Sequence, residues 1–225
     1  MKVELDNFVI FTDKKLDYLE DIERTLNNET KEILNFFELS ALKEKKNVVI
    51  YGDIQKYKSH IEQTSEYQEW MCGDTDDGNI NLLELSEVQK TKAHKNDTLE
   101  TFLQTIIHEF VHVCQQEVKC DYEGLIWFWE ALATNLSKQE RKNIDLQNCD
   151  FDKLKNDFSN VKNGYGYAYV LGNYMLETYG QKKVLDYVKN PDKLRQDEDN
   201  IFESAKKAQM NQEKNKDCLE SVEMC

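Results

Sequence analysis

Apolar positions first fall in short strand-like runs set among polar helical stretches, and beyond residue 95 they recur almost throughout at helical spacing. "VELDNFVIF" alternates apolar and polar residues and is expected to be an opening strand. From Thr12 a polar helix is expected, with Leu16, Leu19, Ile22, Leu26, Ile33, Phe36 and Phe37 on its apolar stripe, running towards Leu42 with a break at "NNET". "NVVIYG" is a β-branched run closed by glycine and predicts a buried strand, and a polar helical stretch follows from Asp53 to Trp70. "GDTDDGN" is a turn signal, and "INLLEL" after it predicts another strand.

The second half predicts helices. "NDTLETFLQTIIHEFVHVCQQEV" has Leu99, Phe102, Leu103, Ile106, Phe110 and Val113 on one broad face, with Asp97 and Glu100 as a capping box. "GLIWFWEALATNLSKQ" follows, then "GYAYVLGNYMLETYG" stopped by Gly180, then "QKKVLDYVKN" stopped by Pro191. In the charged tail, Ile201, Phe202, Ala205 and Ala208 predict a weakly packed helix with a frayed end. The expected class is α+β in one domain, 1–225. A small mixed sheet with helices (1–95) precedes a mostly helical part (96–225).

Hydrophobic content of 40% with 11% aromatic residues places the chain among globular proteins although 32% of its residues are charged. One proline, Pro191, and eight glycines leave no linker signal, and no internal repeat is evident. A net charge of −14 disfavours nucleic acid and anionic membranes and suits a neutral or cationic substrate. No segment has the length of a membrane span, and the start lacks a signal-peptide core. The expected location is cytoplasmic, or secreted if a signal was removed. Six cysteines (Cys72, Cys114, Cys120, Cys149, Cys218, Cys225) form no CxxC pair and are expected as free thiols, with Cys120 and Cys149 the first suspects for a bridge.

The chemistry gathers in "TIIHEFVHVCQQ". Positions four apart on a helix lie nearly above one another, so His108 and His112 can both aim a ring nitrogen at one ion. Glu109 then lies beside the ion, where a general base must sit to take a proton from a zinc-bound water. A catalytic zinc takes three protein ligands. His60 and His94 lie upstream and no histidine follows His112, so HExxHxxGxxH is excluded and a carboxylate is expected third. Asp121, Glu123, Glu130 and Glu140 are the candidates. Glu117 is too close on the same helix, and Asp121 and Glu123 sit in a connection that would be costly to order. Glu130 is favoured, because a carboxylate in "IWFWEALA" is expensive to bury without a cation, and Ala133, Thr134 and Ser137 leave room beside it.

HExxH followed by a glutamate helix in a W-x-E-x-L-A context resembles the gluzincin metallopeptidases, most closely the peptidase MA-like group, with similarity in element order over nearly the whole chain. The resemblance implies a zincin-like fold, one zinc per chain on His108, His112 and Glu130, Glu109 as base, and a peptide or protein substrate. In related aminopeptidases a tyrosine opening a Y-x-x-G/A helix donates to the developing oxyanion. Tyr165, with Ala168 and Met175 after it, matches best and Tyr167 second. Two features depart from the family. Thr134 and Asn135 stand where an acidic residue often orients a ligating histidine, and no G-x-M-E-N stretch is present, which favours an endopeptidase over an aminopeptidase. The alternative is a gluzincin-fold metal protein with lost or regulated activity that serves as a partner-binding module. A helical structural protein without metal ranks third. The intact Glu109 favours catalysis.

Overall fold

The computed structural model describes residues 1–120 and 124–223, without the side chains of 213–223. Asp121 and Glu123, both weighed as ligands, and the side chains of Cys218 and Cys225 lie outside the described residues. The chain is α+β and divides into two compact units. One comprises Met1–Cys120 with Leu136–Gln139, the other Asp121–Asn135 with Glu140–Cys225.

In the first unit, "VELDNFVIF" makes two strands rather than one. β1 (Lys2–Glu4) pairs antiparallel with β2 (Phe8–Thr12), and the chain reverses over Asp6 and Asn7, residues that favour turns. Helix α1 (Leu19–Phe36) starts later than expected, since Thr12 Oγ1 donates to Lys14 O and a turn precedes Leu19. "NNET" does not break it, and the Thr30 hydroxyl donates back to Leu26 O inside the helix. β3 (Lys46–Tyr51) falls on the expected strand, and α2 (Ile54–Ile61) follows, capped by the Asp53 carboxylate. This helix stops well short of Trp70, because the Thr64 and Ser65 N–H groups both turn back to Ile61 O.

"GDTDDGN" is mostly strand. β4 (Gly73–Asp76) and β5 (Asn79–Leu83) form a hairpin, and only Asp77 and Gly78 turn, both at positive φ (46° and 69°), as a two-residue hairpin loop demands. The five strands lie in the order β1-β2-β3-β5-β4, with β2, β3 and β5 parallel and the two edges antiparallel. Register aligns Ile10, Val48, Ile80 and Thr75 in one row and Thr12, Ile50, Leu82 and Gly73 in the next. These rows share a face, because side chains two apart on a strand point the same way. A short α3 (Leu85–Val88) leads to α4 (Leu99–Val118), which packs on β4, β5 and α1. Its cap is Thr98 with Thr101, each hydroxyl accepting the other's N–H, and not Asp97 with Glu100. Phe8 meets Phe110 edge to face at 5.2 Å in the core beneath.

The second unit is helical: α5 (Ile126–Leu136, whose last residue counts with the first unit), α6 (Phe151–Asn156), α7 (Gly164–Lys189) and α8 (Pro191–Glu223). The two helices expected on either side of Gly180 are the halves of α7, interrupted there at φ 73°. α7 comes close to α5 at Gly172, where a Cβ would lie 2.7 Å from Ala131 O. Pro191 opens α8, where its missing N–H has no partner to lose. α8 is better packed than expected as far as Ala205. Leu194, Ile201, Phe202 and Ala205 are buried, and Phe202 stacks on Phe151 at 4.7 Å and meets Trp127 at 4.8 Å.

Cys72, Cys114, Cys120 and Cys149 are free, so the suspected Cys120–Cys149 bridge is not formed. Among the described residues no helix is long and apolar enough to cross a membrane.

Candidate metal centre

Helix α4 sets His108 and His112 one turn apart, their rings nearly perpendicular at 82° and their Nε2 atoms 3.2 Å from each other. Two nitrogens on a tetrahedral ion with bonds of about 2.0 Å stand about 3.3 Å apart, so the pair already has the spacing of two zinc ligands. The tautomer fits as well. His112 Nδ1 lies 2.7 Å from Gln115 Oε1, an acceptor, so the ring proton resides on Nδ1 and Nε2 presents its lone pair. Gln115 is fully buried three positions along the same helix.

Glu109 is 6% exposed beside them. Its Oε2 accepts from the Thr75 hydroxyl at 2.9 Å, and the same hydroxyl lies 3.1 Å from Glu109 O. Gly73, in the adjacent row of the sheet, would place a Cβ 3.0 Å from Glu109 Oε1. A carboxylate that accepts from a hydroxyl at one oxygen can still take up a proton.

Among the described residues, the ligand-bearing side chains that could together hold a metal ion are His108, His112 and Glu130. Glu130 is half-buried on α5 and is the one ionisable group in "IWFWEALATNL". Thr134 beside it donates to Glu130 O at 2.7 Å, while Asn135 Nδ2 donates to Ala131 O of its own helix (2.7 Å) and to Tyr169 O of α7 (2.9 Å). Two other acids among the described residues go elsewhere. Glu117 is held by Lys43 (2.9 Å) and Lys46 (3.1 Å), and Glu140 is exposed. Of the remaining histidines, His60 contacts Asp74 (3.1 Å), and His94 lies between Asp97 (2.9 Å) and Trp70 O (2.8 Å).

Tyr165 stands half-buried in the first turn of α7, its ring edge to face with Phe158 at 5.3 Å. Tyr167 is buried, and its hydroxyl donates to Asn148 O at 3.1 Å. Trp127 is core, with Nε1 directed at Glu198.

Gln115, Thr75 and Gly73 escaped sequence reasoning. Gln115 could have been found, since it follows His112 at the i,i+3 spacing that brings side chains together. Thr75 and Gly73 could not, because their link to Glu109 is a matter of sheet register. No family model, curated protein or solved structure matches the chain.

Proposed function

We propose that this chain is a zinc-dependent peptidase of gluzincin type with a zincin-like fold, in which His108, His112 and Glu130 hold one zinc ion and Glu109 is the general base. The observation that carries this reading is the 3.2 Å separation of two histidine Nε2 atoms, one fixed as an acceptor by Gln115. A buried carboxylate stands on the residue next to His108. Glu130 supports it as the acid of an otherwise unionisable helix, where a cation would offset the cost of burial. Zinc, when bound, supplies a Lewis acid that polarises a carbonyl and makes water more acidic.

The rest of the chemistry belongs to the chain. Glu109 takes the proton of the attacking water and passes it to the leaving amine, so one carboxylate serves both steps. Tyr165 donates a hydrogen bond to the oxygen that gains charge as the peptide carbon becomes tetrahedral. The lack of a G-x-M-E-N stretch to hold a substrate's α-amine favours cleavage within a chain over removal of its first residue.

A peptide library incubated with wild type and with Glu109→Gln tests this. Cleavage is expected in the wild type and a fall of about 10² to 10⁴ in the variant, with metal content unchanged. Equal rates would remove Glu109 from the mechanism. A wild type that holds zinc and cleaves nothing would point to a partner-binding metal protein.

A further inference from the structure

The general base is held from a direction that α4 does not supply. Gly73 and Thr75 are two apart on β4, so they share the face turned towards α4, and both meet the Glu109 side chain. The Thr75 hydroxyl has one hydrogen and two acceptors within reach, Glu109 Oε2 at 2.9 Å and Glu109 O at 3.1 Å. A charged carboxylate is the stronger acceptor, so that hydrogen goes to Oε2. Oε1 occupies space that any side chain at position 73 would enter, with a Cβ there only 3.0 Å away.

The strand that does this is itself fastened. β4 is an edge with a backbone partner on one side only, but Asp74, on its opposite face, is gripped by His60 at 3.1 Å and by Asn81 Nδ2 at 3.2 Å.

We propose that β4 is a positioning strand for the general base, with Thr75 fixing one carboxylate oxygen and the bare backbone of Gly73 making room for the other. The inference rests on the reading of Glu109 as the base. A glutamate side chain has three torsions to restrain, and a misplacement of about 1 Å costs a reaction on the order of 10²-fold. The hydroxyl holds the plane of the carboxylate and so directs the oxygen that receives the proton. Thr75 acts through its contact with Glu109, so its effect is expected on kcat.

Thr75→Val keeps the shape and the β-branching that suit a strand, so it folds. It is expected to lower kcat by about 10-fold or more while KM and zinc affinity stay within about twofold, and Thr75→Ser restores at least about half the rate. A readout independent of turnover is the antisymmetric carboxylate stretch in protein labelled with ¹³C-glutamate. Removal of the hydrogen bond shifts one band in Thr75→Val against wild type, and the shift is absent when the same pair is compared in a Glu109→Gln background. An unshifted band, full kcat in Thr75→Val, or a loss that Thr75→Ser does not restore overturns the positioning role. If the wild type binds zinc and cleaves no peptide, the hydrolase reading fails. The infrared band then decides on its own whether Thr75 holds the carboxylate.

Discussion

At the scale of single residues, the two histidines lie as close together as their spacing predicts, and the informative additions are the neutral side chains around them. Gln115 lies against His112 Nδ1, which leaves Nε2 as the atom that would coordinate a metal. Gln115→Leu is therefore expected to weaken zinc binding by about 10 to 100-fold, measured by competition with a chromophoric chelator, and Gln115→Glu, which keeps an acceptor, to weaken it far less. Equal losses in both variants would mean that volume, not the hydrogen bond, matters at this position. His108, Glu109 and His112 were legible in the sequence because a helix imposes fixed geometry on residues four apart. Thr75 was not, since nothing local ties residue 75 to residue 109.

At the scale of elements, the long helices and the β-branched strand Lys46–Tyr51 were legible, and the polar segments were misjudged. "GDTDDGN" carries turn residues at nearly every position, yet pairing with β5 makes a strand of its first four, because ladder hydrogen bonds override weak propensity. The end of α8 nearest Pro191 is similar. Its charge predicts weak packing, but Phe202 finds Trp127 and Phe151 across the unit.

The junction of β5 and α3 carries a pH-dependent contribution. Burial pushes the Glu84 carboxyl up, but hydrogen bonds from Lys14 (2.8 Å), Ser86 and Tyr18 (2.7 Å) outweigh it and hold the group down at about 2. An unfolded glutamate titrates near about 4.3. The folded value lies below that, so the ionised form stabilises the fold above about pH 4.3, and this contribution fades as pH falls from there towards 2. Urea midpoints should drop less steeply between about pH 5 and pH 2 in Glu84→Gln than in wild type. Equal slopes would show that the carboxylate contributes nothing.

At the scale of the molecule, the α+β class was legible from strand-like runs giving way to helical spacing. The grouping of elements was less so. α4 falls in the part of the chain expected to be helical, but it packs on β4, β5 and α1 and belongs to the compact unit that holds the sheet. This arrangement gives Glu109, the proposed base, its contact with a strand. We propose that His108, His112 and Glu130 hold a zinc ion, and this is open to direct test. The direct measurement is the zinc content of protein purified without chelator and then offered equimolar zinc. About one ion per chain is predicted for wild type and for Glu109→Gln, and clearly less for Glu130→Ala. A wild type that carries no zinc and takes none up would rule out a zinc site on these residues.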